Sequence, residues 1–198
     1  KDTGEFQSGN VDFTAFVVDV VLRAGVGAPI VFASSTQVDQ DNEYGVSKCL
    51  AEKIVMDYTA TTGFPTYVYR LPNVFGKWCK PNYNSFVATF CYNVMHGIEL
   101  AIHDPNAEVM LVSIDDVCES FLELLIEAPH SKYPIVYPQY STTVGEVAAL
   151  ISSFKSAQDD LIVEHVGTGL TRLLYSTFLS YAPTDRFSYS IPSHVDER

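Results

Sequence analysis

The sequence lacks an excess of positive charge. It has 12 Lys and Arg residues against 24 Asp and Glu residues, a formal net charge of −12. A nucleic-acid-binding protein needs a basic face for the phosphate backbone, so this composition argues against a nucleic-acid partner. No secretory signal is visible in the sequence, and no apolar run comes near the ~18 residues of a membrane span. We therefore expect a cytoplasmic protein with no membrane partner.

Cysteine and histidine patterns typical of metal or redox sites are missing as well. The 4 cysteines are scattered, and no two have the short spacing of a zinc or thioredoxin-type motif. The 5 histidines are isolated from one another. We expect reduced thiols and no metal site.

A glycine-rich turn after a first strand, which a complete dinucleotide-binding fold requires, is not found near the start of the chain. The one candidate is Gly167-Thr-Gly169, which follows the apolar residues Leu161–Val163. A third glycine would be needed at the position of Arg172. Since close approach of a pyrophosphate to a helix N-terminus depends on such glycines, we interpret this segment as a loop.

What the sequence contains is a strand, a polar loop and a helix that carry a reactive set of side chains. Apolar Ile30–Ala33 leads into Ser34-Ser35, and the following helix begins with Tyr44-Gly-Val-Ser-Lys48. Residues four apart share a helix face, so Tyr44 and Lys48 are expected to point into one cleft. Ser35 follows the strand at the edge where parallel α/β sheets bind ligands.

These residue types suit hydride-transfer chemistry at a carbonyl group. A free phenol has a pKa near ~10, and a neighbouring ammonium lowers the pKa of a phenol. Tyr44 would exchange a proton with a substrate oxygen while hydride moves at carbon, and Ser35 would hold the same oxygen. Lys48 would also bind the ribose hydroxyls of a nicotinamide nucleotide. A Tyr-x-x-x-Lys pair alone is a weak signal, whose alternative interpretation is an ordinary surface helix.

Strands and helices alternate in the first part of the chain, which predicts right-handed crossovers and a parallel sheet. A helix over Asn10–Arg23 precedes the first strand, and a second strand, Thr66–Leu71, follows the Tyr-Lys helix. We expect an α/β fold in which residues 1–71 form part of a Rossmann-type layer. Residues 72–198 are expected to form mainly a smaller substrate-binding lobe with some core-sheet elements.

Periodicity and capping residues predict the later elements. Asp115 and Asp116 permit two interpretations, acid/base chemistry or a helix start, and a helix start favours Asp through capping and the helix dipole. Thr143 and Glu146 have the spacing of a capping box. We predict helices over 84–96, 115–125, 143–154 and 171–181, strands over 107–114 and 134–137, and irregular structure over 183–198.

The Ser-Tyr-Lys block, followed by Arg70-Leu-Pro-Asn-Val-Phe-Gly76, resembles the extended short-chain dehydrogenase/reductase superfamily, whose members modify nucleotide sugars. The similarity is closest to the reductase domain of CapF-like capsular polysaccharide biosynthesis enzymes and covers nearly the whole chain. The segments that carry it are Gln40–Asn42, Arg70–Ser85, Ala88–Tyr92 and Leu174–Tyr181.

The resemblance implies an NADPH-dependent reductase, with NAD as the other possible cofactor, acting on a UDP-linked keto-deoxy amino sugar. Its catalytic residues would be Ser35, Tyr44 and Lys48. The cofactor contacts that it implies are Ser34, Tyr44, Lys48 and Pro72. The substrate contacts would be Asn73, Lys77, Lys80, Asn84 and Arg172.

Two further expectations follow from this resemblance. The chain looks like a reductase domain that begins after the glycine-rich half of the Rossmann fold and stops where a C-terminal cupin would begin, so we expect it to be inactive alone. The full-length protein is expected to be a homodimer with that cupin fused to it.

Several alternatives stay open. A nucleotide-sugar epimerase or dehydratase would share the Tyr-Lys pair, although the loop after Ser35 lacks the acidic pair usual in dehydratases. A non-catalytic nucleotide-sugar-binding module is the remaining class. Lys77 and Lys80 are equally explained as solvated surface charge. Trp78 and Tyr83 could stack on a base or sugar or could be core residues. Asn10 matches the Asn-Val pair that extended reductases have at the start of this helix, and it is equally explained as a helix cap.

Overall fold

The computed structural model describes residues 3–159 and 166–183. Its contacts divide the chain into two compact units, one with residues 1–74 and 110–141 and the other with residues 75–109 and 142–198. The helices are α1 (Thr3–Phe6), α2 (Phe13–Ala24), α3 (Glu43–Thr62), α4 (Phe86–Met95), α5 (Ile114–Glu123), α6 (Val144–Asp159) and α7 (Leu170–Leu179). A π-helix covers Gln7–Asp12 and a 3₁₀ helix covers Thr36–Asp39. The strands are β1 (Ile30–Ser35), β2 (Thr66–Leu71), β3 (Asn73–Phe75), β4 (Glu108–Ser113) and β5 (Tyr140–Thr143).

The first unit is built on a parallel pair of strands with helices on both faces. β1 and β2 run in register from Ile30 opposite Thr66 to Ser35 opposite Leu71. Neighbouring strand residues point to opposite faces, and the two cores of this unit follow that alternation. Val68 packs with Val18, Val55 and Tyr58, whereas Tyr69 packs with Val112, Val117 and Val136. The predicted α/β fold with a parallel sheet is confirmed.

Helix α3 begins and ends at residues with clear local causes. The side chain of Asn42 accepts a hydrogen bond from the Gly45 N–H at 2.8 Å and caps the first turn. Gly63, with φ of 77°, adopts the left-handed conformation that ends the helix. The helix therefore presents Tyr44 and Lys48 within its first two turns, directly after the 3₁₀ helix that follows β1.

The second unit has a helical core. Helices α4, α6 and α7 pack on one another, and the side chain of Cys91 is fully buried there, which raises the pKa of its thiol. The predicted capping box is present, since Thr143 Oγ1 accepts from the Glu146 N–H and Glu146 Oε2 accepts from the Thr143 N–H. The other buried side chains of this core include Val87, Phe90, Met95, Val147, Ile151, Phe154, Leu174 and Phe178.

One predicted strand is wrong. Residues 134–137 form no strand, and the strand of this region is β5, which pairs in the order β3-β4-β5. Pro134 and Pro138 flank the apolar residues that suggested a strand, and proline removes a hydrogen-bond donor that a strand ladder needs. Of the predicted irregular end, only residue 183 lies within the described residues, and Leu161–Val163 lie outside them.

Within residues 3–159 and 166–183, no helix has both the length and the apolar character to cross a membrane.

Candidate active site

The first turn of α3 lies against the loop that follows β1, because residue 45 has no side chain. A Cβ atom added at Gly45 would lie 2.4 Å from the carbonyl oxygen of Gln37 and 2.6 Å from that of Gln40. Real Cβ atoms do not approach a backbone oxygen so closely, so any larger residue would push the helix away. Gly45 thus sets the position of Tyr44 relative to the end of β1.

The structure places Tyr44 and Lys48 on the same side of α3. Lys48 Nζ lies 6.0 Å from the centroid of the Tyr44 ring and 5.2 Å from that of Phe32. The same ammonium donates a 3.1 Å hydrogen bond to the carbonyl oxygen of Ala33. Burial lowers the pKa of Lys48, and the negative charge of Glu52 acts in the opposite direction. The ammonium is therefore held beside the phenol ring in a partly desolvated position.

The backbone around Tyr44 is tied to the N-terminal helices. Ser47 Oγ donates to the carbonyl oxygen of Tyr44 at 2.8 Å and accepts from Asn10 Nδ2 at 2.9 Å. The Phe6 ring packs edge-on to the Tyr44 ring, with centroids 5.6 Å apart. Asn10 lies inside the π-helix rather than at a helix start, so its interpretation as a helix cap is wrong. Single π turns are frequent at functional sites, and here the Asn10 amide in the turn donates to Ser47 of helix α3.

Ser34 and Ser35 are both buried at the end of β1, but their hydroxyls have different partners. Ser35 Oγ accepts from the Gln37 N–H at 3.2 Å and caps the 3₁₀ helix, which leaves its own hydroxyl proton to be donated. Ser34 Oγ donates to Glu52 Oε1 at 2.5 Å, in the interior of the first unit. Pro72, which follows β2, is buried.

Four of the predicted substrate contacts lie in the second unit. Three of them, Lys77, Lys80 and Asn84, lie on the loop over residues 76–84, which has exposed aromatic rings. Lys77 Nζ lies 5.8 Å from the centroid of the Trp78 ring, and Lys80 Nζ lies 5.5 Å from that of Tyr83. Trp78 is 79% exposed and Tyr83 is 58% exposed, so their interpretation as core residues is wrong. The loop thus presents two cation–aromatic pairs on the surface of its unit.

This loop is fixed at its base by α7 and the residues after it. The Trp78 N–H donates to Ser180 Oγ at 3.3 Å, and the Tyr181 hydroxyl donates to the Cys79 carbonyl oxygen at 2.5 Å. Burial raises the pKa of Tyr181 to about 12, which keeps this donor protonated. Trp78 and Asn82 adopt positive φ angles of 61° and 54°. Such backbone in non-glycine residues is uncommon and concentrates at ligand sites.

The remaining predicted substrate residues are exposed. Asn73, in the first unit, donates through Nδ2 to the Met110 carbonyl oxygen at 3.2 Å. Asn84 lies directly before Ser85, whose hydroxyl caps α4. Arg172 lies in the first turn of α7.

The acidic pair lies at a helix start. Ser113 caps α5 by accepting from the Asp115 N–H, and both Asp115 and Asp116 lie in its first turn. Burial, followed by the charges of Glu119 and Asp115, raises the pKa of Asp116. Among the described residues, no group of three or more His, Cys, Asp or Glu side chains is placed to hold a metal ion. The pair thus lies where the helix dipole favours negative charge.

The sequence analysis missed the buried carboxylate of Glu52, which is 5% exposed. It accepts hydrogen bonds from Ser34 and from Arg70, the two residues paired across β1 and β2. A signal was available, since Glu52 continues the four-residue spacing of Tyr44 and Lys48 along one helix face. Spacing alone did not show that this acid is buried.

Comparison with known proteins identifies several similar chains. The chain is 44% identical over 195 residues to UDP-2-acetamido-2,6-beta-L-arabino-hexul-4-ose reductase of Pseudomonas aeruginosa, an alignment that covers 98% of this chain and 52% of that protein. The chain therefore spans about half the length of the curated relative that it matches. The crystal structure of the capsular polysaccharide assembling protein CapF from Staphylococcus aureus is 33% identical, with a TM-score of 0.86 over 98% of this chain and 59% of that one.

A more distant likeness shows the fold alone. The UDP-glucose 4-epimerase of Thermus thermophilus, solved with NAD, is 17% identical, with a TM-score of 0.67 over 85% of this chain and 68% of that one. Residues 1–137 match the NAD dependent epimerase/dehydratase family. With a family match over more than half of its length and a Tyr-Lys pair beside the end of a parallel strand, the chain belongs to the NAD dependent epimerase/dehydratase family.

Proposed function

We propose that this chain carries the catalytic residues of an NADPH-dependent reductase that acts on the keto group of a UDP-linked deoxy amino sugar in surface polysaccharide biosynthesis. The observation that supports this most directly is the position of the Lys48 ammonium, which lies 6.0 Å from the centroid of the Tyr44 ring and donates a hydrogen bond to the carbonyl oxygen of Ala33 in β1. The name of the 44% identical relative supports the reductase class and the sugar.

The proposed chemistry is the reduction of a ketone to a secondary alcohol. A bound nicotinamide cofactor supplies hydride to the carbonyl carbon. Tyr44 donates its phenolic proton to the carbonyl oxygen, and Ser35 donates a hydrogen bond to the same oxygen as charge develops there. The Lys48 ammonium stabilises the phenolate that remains until the phenol is reprotonated from solvent.

The residues of the first unit fit the ribose end of such a cofactor. An ammonium has three N–H donors, and one of those on Lys48 is used by Ala33, so two remain to be donated to ribose hydroxyls. Among the described residues, no complete glycine-rich turn is present to bind the pyrophosphate of the cofactor. The Gly167-x-Gly169 segment is followed at once by α7, and Arg172 stands at the position of the third glycine.

We infer that tight cofactor binding needs residues beyond this chain. Titration of the isolated chain with NADPH, followed by fluorescence, is expected to show no tight binding. Submicromolar affinity in the isolated chain would contradict this inference. Parallel titrations of the complete protein with NADPH and with NAD would decide between the two cofactors. The residues described here leave that choice open.

For the second unit we propose that the loop over residues 76–84 contacts the UDP moiety. Lys77 and Lys80 supply charge for a diphosphate, while Trp78 supplies an exposed ring for stacking on a base or sugar. Asn84 and Arg172 are further proposed contacts of this unit, and Asn73 is a proposed contact of the first unit.

The decisive experiment follows NADPH oxidation by the complete protein with a UDP-linked 4-keto-6-deoxy amino sugar, and identifies the product by mass spectrometry. A reductase consumes one NADPH for each ketone and adds two mass units to the sugar. An epimerase gives a product of unchanged mass with no net NADPH consumption, and a binding module gives no product; either result would overturn the proposal.

We also propose that the complete protein is a cytoplasmic homodimer with a fused C-terminal cupin, as the resemblance of the sequence to CapF-like enzymes implies; this chain covers 59% of the CapF chain. Light scattering coupled to size-exclusion chromatography of the complete protein would test the dimer. A monomeric mass at micromolar concentration would refute it.

A further inference from the structure

A carboxylate is buried one helical turn beyond Lys48, and both of its oxygens are occupied. Glu52 Oε1 accepts from Ser34 Oγ at 2.5 Å and from Arg70 Nε at 3.1 Å. Glu52 Oε2 accepts from Arg70 Nη2 at 2.8 Å. Ser34 and Arg70 lie directly opposite each other in the register of β1 and β2. One side chain of α3 therefore binds the carboxyl-terminal ends of both parallel strands.

Lys48 fastens the same part of β1 to the same face of α3. Its Nζ donates to the carbonyl oxygen of Ala33, the residue next to Ser34. The ammonium of Lys48 and the carboxylate of Glu52 thus bond to consecutive residues of β1, and Ser35 is the next residue of the strand. The two bonds together fix where Ser35 lies relative to the face of α3 that carries Tyr44.

The charge of Glu52 also acts on Lys48. Burial lowers the pKa of Lys48, and the carboxylate of Glu52 is the interaction that raises it again. Arg70 pairs directly with Glu52. Among the described residues, Asp39 lies 3.9 Å from Arg70 Nη1, and the ring centroid of Tyr133 lies 5.0 Å from the guanidinium carbon.

A role in stability alone does not account well for such an arrangement. The side chain of Glu52 is 7% exposed and that of Arg70 is 38% exposed, so it is the carboxylate that is taken out of water, and burying a charge is costly. A half-buried lysine that must stay protonated, by contrast, needs a nearby negative charge to offset its own desolvation.

We propose that Glu52 is a positioning residue of the active site, which holds the end of β1 against α3 and keeps Lys48 protonated beside Tyr44. This role rests on the proposed function of Tyr44 and Lys48. Glu52 touches neither substrate nor cofactor in this account, and it acts only through Lys48, Ser34 and Arg70.

The test compares Glu52→Gln with Asp57→Asn, which removes an exposed carboxylate from the same helix, in the complete protein. The pH at which Lys48 is half-labelled by an amine-reactive reagent is read for that residue by mass spectrometry. Without the carboxylate this midpoint is expected to fall by roughly half a unit to one unit, because the charge that favours the ammonium is gone. Asp57→Asn should leave it in place.

The turnover of Glu52→Gln is expected to fall on the order of 10- to 100-fold, since small displacements of reacting groups cost that much. The alkaline limb of its pH–rate profile should move to lower pH together with the labelling midpoint. Arg70→Lys keeps both charges but loses the paired hydrogen bonds, so it should lower turnover without moving the midpoint. A merely structural role for Glu52 would leave the midpoint unchanged in every variant.

An unchanged Lys48 midpoint in folded Glu52→Gln, verified by circular dichroism, overturns the positioning role. If that variant does not fold, the double variant Glu52→Met, Arg70→Met replaces the ion pair with apolar side chains. A smaller fall in the Lys48 midpoint is required of it, because the loss of Arg70 also removes a positive charge that disfavours the ammonium. Failure of the proposed function would look different. Turnover retained by Tyr44→Phe would refute that function, while the labelling midpoint would still decide the effect of Glu52 on Lys48.

Discussion

The two units hold their candidate functional residues in different ways. In the first unit, Tyr44 and Lys48 lie on a capped 20-residue helix, and their neighbours are buried polar groups with short hydrogen bonds. In the second unit, Lys77 and Lys80 lie on a loop with exposed aromatic rings and two residues of positive φ. Both kinds of site need preorganised side chains, but a group that transfers a proton must also be held in reach of the reacting atom, where a small displacement costs rate.

Because of this difference, substitutions in the two units should affect different kinetic constants. A residue that acts only in the transition state changes kcat, and one that binds ground state and transition state equally changes KM. We therefore expect kcat effects from the first unit and KM effects from the loop of the second.

The largest effect is expected from Tyr44→Phe, which removes one hydroxyl and keeps the ring that packs against Phe6. Loss of the proton donor should lower kcat by about 10²- to 10⁴-fold with little change in KM. Steady-state assays of NADPH oxidation by the complete protein measure this. Tyr58→Phe, which removes a hydroxyl bonded to the Ala28 carbonyl oxygen elsewhere on α3, is the matched control. Equal losses in both variants would contradict a specific role for Tyr44.

Gly45→Ala should have the next largest effect. The added methyl group would clash with the carbonyl oxygens of Gln37 and Gln40, so α3 must shift. We expect a loss of about 1–3 kcal/mol in the free energy of unfolding and a fall in kcat, measured by urea denaturation and by turnover. Gly9→Ala is the control, because no atom lies within 4 Å of a Cβ added there. Normal turnover in Gly45→Ala would show that the position of Tyr44 is not critical.

Lys77→Ala and Lys80→Ala test the loop of the second unit. Each removes one charge from an exposed loop, so KM for the UDP-sugar is expected to rise by roughly 3- to 10-fold with kcat nearly unchanged. The effect should shrink in high salt, because exposed charges are screened. Lys53→Ala, an exposed lysine of α3, controls for the general change in net charge. A loss of kcat without a change in KM would contradict the proposal that this loop contributes to substrate binding only.

The smallest effect is expected from Thr143→Ala, which removes half of the capping box of α6. Loss of an N-cap costs about 1 kcal/mol in the free energy of unfolding and should leave KM and kcat as they are. Thermal unfolding measures the loss. A changed KM would show that substrate binding in the second unit depends on α6.

The sequence predicted those features that local chemistry dictates. The strands β1 and β2 follow from apolar runs with turn residues after them, and Tyr44 and Lys48 share a face because α3 is a regular helix. The strand predicted over 134–137 was wrong because two prolines outweigh the apolar residues between them. Glu52 was missed since its burial depends on Ser34 and Arg70, which are distant in sequence and close only in the folded sheet.

The burial of Cys91 has a practical consequence. Its thiol is enclosed among the helices of the second unit, whereas Cys118 in the first unit is exposed. Because only the accessible thiolate reacts, a maleimide should modify Cys118 in the folded protein and reach Cys91 only when the helical core opens. The delay between modification of Cys118 and modification of Cys91 therefore measures how often the helical core of the second unit opens.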